Sequence, residues 1–148
     1  MSVAHFLSAR AIRLREAAAL GPGGGDDHLR WLVRRIAADD PAAFADLFYR
    51  LSGGVANMLH RQVPDQQRVV GIVASTFVEV WWLAGTHVDP DADILSWINE
   101  IAQRRVTDSR PPAASADPAA IAFFALSTLR AERSQAELIE LLRRQAAP

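Results

Sequence analysis

Residues 66–83, QQRVVGIVASTFVEVWWL, decide the fold. Val69, Val70, Ile72, Val73, Phe77, Val80, Trp81 and Trp82 leave almost no polar side. A helix apolar nearly all round must sit between neighbours. Pro64-Asp65 marks the turn before it. The run from Val69 to Gly85 contains Glu79 and is too short to span a bilayer comfortably, so a buried or partner-facing helix is expected.

The pattern continues in both directions from this segment. Upstream, Asp39-Asp40-Pro41 is a helix-start signature, a carboxylate cap followed by Pro at the first helical position. The helix from Pro41 carries Phe44, Leu47, Phe48 and Leu51; Gly53-Gly54 then predicts either a kink or a fresh helix carrying Val55, Met58, Leu59 and Val63. Before it, Asp27 to Ala38 reads as a helix with Asp26 or Asp27 as cap and Leu29, Leu32, Val33 and Ile36 on its apolar face. Residues 2–20 read as an amphipathic helix in which Val3, Phe6, Leu7, Ile12 and Leu14 alternate with Arg10, Arg13 and Arg15, and the break GPGGG follows at 21–25. Downstream, residues 85–93 form a loop with three Asp, and Ile94 to about Ser109 is a helix with Leu95, Trp97, Ile98, Ile101 and Val106 inward. Pro111 to Pro118 is a linker that cannot be helical throughout, and a last helix covers about Ala119 to Gln145. No strand-like alternation or repeat is present, so the class is all-α. The expected organisation is an N-terminal helix and Gly-rich linker (1–25), a helical domain (26–110), a Pro/Ala linker (111–118) and a C-terminal helix (119–148).

Composition narrows the function. The chain of 148 residues has room for one domain, or one with an appendage. Its formal net charge of −1 gives no global basic field toward nucleic acid. All 16 basic residues are Arg. The absence of Cys excludes disulfides and thiolate chemistry and fits a reducing cytoplasm. Arg10, Arg13, Arg15 and Glu16 in the first apolar stretch argue against a signal peptide. His5, His28, His60 and His87 have no ligand spacing. Asp89, Asp91 and Asp93 alternate like the start of a calcium loop but lack its Gly and terminal Glu, and Asp93 reads as a helix cap. The GPGGG stretch lacks the strand, Lys and hydroxyl of a phosphate loop. No nucleophile is ordered beside a base. The reading is a non-enzyme with no metal or cofactor.

Three blocks carry a resemblance: LVRRIAADDPAAFADLFYR at 32–50, ASTFVEVWWLAG at 74–85 and SWINEIAQRRVTDSR at 96–110. In that order they resemble region 2 of extracytoplasmic-function (ECF) sigma factors, the helical module that grips core RNA polymerase and melts the −10 promoter element. Asp39, Asp40, Ala43, Phe44, Leu47 and Tyr49 fit the first family pattern; Thr76, Phe77, Val80 and Trp81 the second; Trp97, Ile98, Ile101, Ala102 and Asp108 the third.

The departures are equally specific. In the family, the polar face of the second block holds the polymerase clamp. Its Glu-Asp pair falls here on Val70 and Gly71, and its Gln-Glu pair on Ala74 and Ser75. An acidic and amide surface has become small and apolar, which removes charge-assisted bonds worth about 1.5–3 kcal/mol each. The family's Arg-Asn pair, which reaches promoter DNA, falls on Gln103 and Arg104; Arg105 and Arg110 keep that helix end basic. The second helix-turn-helix domain that reads the −35 element is represented only by a similarity of Ala125 to Arg130 to its opening helix.

The resemblance implies a cytoplasmic transcription regulator contacting polymerase core, −10 promoter DNA or both, with Arg104, Arg105 and Arg110 as DNA contacts. The rival is a degenerate module that binds an anti-sigma factor, another regulator or itself as a homodimer. Its expected contact residues are Val70, Gly71, Ala74, Ser75 and Trp82. Small residues at the first four would admit a second helix closely, and the terminal helices are candidates to cover that face. Trp81 and Trp82 point about 100° apart on a helix, so one is expected in the core and the other at a partner.

Overall fold

The computed structural model describes residues 25–86 and 93–146. The expected N-terminal helix at 2–20 and the Asp-bearing loop residues 87–92 lie outside the described residues. Among the described residues the fold is entirely helical: α1 (Gly25–Ala37), α2 (Pro41–His60), α3 (Gln66–Leu83), α4 (Ile94–Asp108) and α5 (Pro118–Ala146).

The corners follow from short polar side chains. α1 begins at Gly25, earlier than the capping pattern implies, so Asp26 and Asp27 occupy its first turn, where carboxylates complement the helix dipole. Asp39 follows α1 in the left-handed region at φ 63°, a conformation that Asp tolerates better than most residues. Asp40 then caps α2, its Oδ1 accepting the N–H groups of Ala42 and Ala43 at 3.0 and 3.3 Å. Asp65 caps α3 through the N–H of Gln67. Asp93 caps α4, accepting from the Ser96 N–H at 3.3 Å and its hydroxyl at 3.0 Å. Those bonds, the backbone one foremost, hold the Asp93 carboxyl below its ordinary range. Asp117 accepts the Ala120 N–H at 2.8 Å, so α5 starts at Pro118.

α2 runs unbroken through Gly53-Gly54. Two glycines in a helix interior cost about 2 kcal/mol relative to Ala. Burying Phe44, Leu47, Phe48, Val55 and Leu59 on one continuous face outweighs that, at about 1.5–3 kcal/mol per large side chain. The all-round apolar helix is central, as its pattern requires: every residue of α3 from Val69 to Val78 is buried, with α2, α4 and α5 packed about it. Phe48 and Phe77 meet edge to face at 5.1 Å between centroids at the core's middle.

α5 belongs to this core. Leu138, Leu141 and Leu142 join the same buried cluster as Phe44 and Phe77.

Candidate functional site

The face of α3 that carries the four unusual residues is covered. Val70, Gly71, Ala74 and Ser75 are all buried, and α5 packs against α3 at Gly71. Gly71 is the point of closest approach. A Cβ placed there would stand 3.2 Å from the Ala131 Cβ and 3.7 Å from the Gln135 Nε2. Small residues on one helix, facing Ala131 and the buried Ser134 on the other, let the two helices approach closely. At Gly71 the neighbouring helix is α5 of the same chain. Trp82 is joined to α5 as well: the residue is 64% exposed, while its indole N–H donates to Glu137 Oε1 at 2.8 Å. Trp81 turns inward and meets Phe44 edge to face at 5.5 Å.

The basic end of α4 is also engaged. Glu79, the one acid of α3, accepts from Arg105 Nη2 at 2.7 Å and from Arg105 Nε at 3.1 Å, both through Oε2. Its Oε1 lies 3.5 Å from Arg104 Nη2. Arg105 also donates to Asp108 Oδ2 at 3.3 Å, and only 21% of its side chain is exposed. Arg104 remains 62% exposed, and Arg110 is exposed just beyond the helix. Two of the three expected DNA contacts therefore share one carboxylate, which cancels part of their field. Glu79 was visible in the sequence as the lone acid of an apolar helix; its partners were not, because they lie on another element.

Arg68 was missed by the sequence reading. Its Nε donates to Ser109 Oγ at 3.0 Å and its Nη2 to the Val106 carbonyl at 2.9 Å. It thereby satisfies a terminal carbonyl of α4 and ties that end to the start of α3. A cleft of about 350 Å³ opens beside it, between α3, the end of α4 and α5, with Gly71, Ser75, Arg105, Ser109 and Phe124 among its lining. Among the described residues no group of three or more His, Cys, Asp or Glu is placed to hold a metal, and no helix is long and apolar enough to cross a membrane.

The chain is 28% identical over 88 residues to the ECF RNA polymerase sigma factor SigK of Mycobacterium tuberculosis (strain ATCC 25618 / H37Rv), and equally so to that of Mycobacterium bovis (strain BCG / Pasteur 1173P2). The match covers 60% of this chain and 47% of each relative, so the chain spans about half the length of the curated relatives it matches. No family model matches the chain, and no solved structure matches it. The chain is similar to ECF sigma factors.

Proposed function

We propose that this chain is a sigma-factor-like transcription regulator that works by protein association, and not by seating the polymerase clamp on α3. One observation carries the reading: α5 occupies the face of α3 that the resemblance assigns to the clamp, with Ala131 above Gly71. Magnitude decides whether that cover is a light lid. Removing α5 would expose Leu138, Leu141 and Leu142, at about 1.5–3 kcal/mol each, or about 5–9 kcal/mol together. That is comparable with the whole stability of a domain, about 5–15 kcal/mol. A clamp contact would have to supply this before any net affinity appeared, and Val70, Gly71, Ala74 and Ser75 offer it no charge.

The basic end of α4 is a weaker candidate for initiation. With Arg105 committed to Glu79 and Asp108, Arg104 and Arg110 are left for phosphate, too few for tight binding at physiological salt. The partner on this reading is a cytoplasmic protein of the transcription apparatus, such as an anti-sigma factor or another regulator.

The test is a pull-down of purified core RNA polymerase by the whole chain, with single-stranded −10-type DNA titrated in parallel at two salt concentrations. The expected outcome is no retention of polymerase and weak, salt-sensitive DNA binding that Arg104→Ala reduces further. Retention of polymerase by the unaltered chain would overturn the reading.

A further inference from the structure

The first half of α5 is built differently from the second. Residues 118–129 read PAAIAFFALSTL and contain no charged side chain, whereas 130–144 carry Arg130, Glu132, Arg133, Glu137, Glu140, Arg143 and Arg144. The second half buries Leu138, Leu141 and Leu142 in the bundle. The first half leaves Ile121, Phe123, Leu126 and Leu129 exposed at 53%, 54%, 62% and 60%, with Phe123 about 200° round the helix from Ile121. At 100° per residue, Ile121, Ala125 and Leu129 form one stripe, with Leu126 at its edge. That stripe points away from the side on which Ser134, Leu138 and Leu142 are buried. Large exposed residues at both ends of an uncharged helical stripe, with a small one between them, form an apolar surface of the kind that marks interaction sites.

We infer that the occupant of this stripe is the same stripe of a second copy, packed antiparallel about Ala125. Self-complementarity is the first argument. A two-fold axis at Ala125 sets Ile121 of each copy against Leu129 of the other and Ala125 against Ala125, where two small side chains permit close approach. Charge is the second. The stripe is bounded by Asp117 on one side and Arg133 on the other, both exposed, and the antiparallel arrangement sets Asp117 of each copy opposite Arg133 of its mate. A parallel arrangement would set Asp117 on Asp117 and Arg133 on Arg133, which is repulsive. The charges therefore select both the partner and its direction. Binding or failure to bind polymerase leaves this pairing untouched, because the stripe lies on the side of α5 away from the α3 seam.

The chain has no Cys, so single introduced thiols report the pairing cleanly. The whole chain should show a concentration-dependent monomer–dimer equilibrium by sedimentation or light scattering. Ala125→Cys should crosslink to a dimer under mild oxidation. Ala136→Cys, also exposed on α5, should not, since the two copies of that position would lie about 33 Å apart along the helix axes. Leu129→Glu should raise the dimer dissociation constant by about tenfold or more, because it sets an unpaired carboxylate in an apolar contact. The protein with Leu129→Glu should stay folded, since Leu129 is exposed in one copy. A chain that stays monomeric at about 100 μM overturns the proposal, given that weak specific contacts fall well within that range. So does a dimer that ignores Leu129→Glu, or one in which Ala136→Cys crosslinks as fast as Ala125→Cys. A monomer whose Ala125→Cys thiol is shielded from a maleimide reagent would mean that another part of the same chain covers the stripe, and would equally overturn it.

Discussion

At the scale of the residue, two positions show how much rests on one side chain. Gly71 has space for a hydrogen and little more, with Ala131 Cβ 3.2 Å from where a Cβ would stand. Gly71→Leu forces α5 off the seam or distorts α3. It should lower stability by about 1–3 kcal/mol, the range for overpacked cores, read from a urea midpoint. An unchanged midpoint would mean that α5 does not press on α3 there. Asp40 links folding to pH. Arg35 donates to its carboxylate through Nε at 3.0 Å, and this bond above all, with the cap bonds from Ala43 and Ala42, holds the carboxyl below its ordinary value of 3.8. A carboxylate whose folded pKa is depressed stabilises the fold above its unfolded pKa, and loses that contribution as pH falls through the folded pKa. Asp40→Asn should therefore be less stable than the parent at neutral pH, with the difference shrinking below about pH 4. Melting temperatures of the two proteins between pH 7 and pH 2.5 provide the check, and a gap that stays constant would rule out the linkage.

At the scale of the element, the helices follow burial more closely than local propensity. Gly53-Gly54 is a break signal, yet α2 crosses it because Ser52 and Val55 on either side are already committed to the core. Gly54 is exposed and a Cβ there meets nothing within 4 Å. Gly54→Ala should thus add about 0.5–1 kcal/mol without moving any neighbour, measurable as a higher thermal midpoint. A loss of stability would show that the backbone at Gly54 is not regular helix. α3 illustrates the converse, since its pattern alone required neighbours on every side. What the pattern left open was which neighbours, and α5 proved to be one of them. α5 reads in the sequence as one helix from about Ala119 to Gln145, with charge only in its second half. The structure adds to this that the second half is embedded, through Leu138, Leu141 and Leu142, while the first half leaves its large apolar side chains exposed.

At the scale of the whole molecule, α5 and the other helices should behave as one cooperative unit. Leu138 is fully buried in the common cluster, so Leu138→Ala should cost about 2–5 kcal/mol. Helical circular dichroism and tryptophan fluorescence should shift together, because Trp81 sits on Phe44 in the same core. Two separated transitions would mean that α5 is a detachable appendage, and would reopen α3 to outside partners.

The sequence by itself determined the helical class, the central place of residues 66–83, and the caps at Asp40 and Asp93. Those follow from periodicity and from short-range hydrogen bonds, which act within a few residues. It also carried the sigma-factor resemblance and the loss of acidic and amide side chains at Val70, Gly71, Ala74 and Ser75. The tertiary structure shows what packs there. The small residues admit α5, Glu79 draws Arg104 and Arg105 together, and Arg68 holds the end of α4. Each of these joins positions at least 25 residues apart, as between Glu79 and Arg104. No local pattern encodes such a pairing; it emerges when the apolar faces of several helices are buried against one another at once.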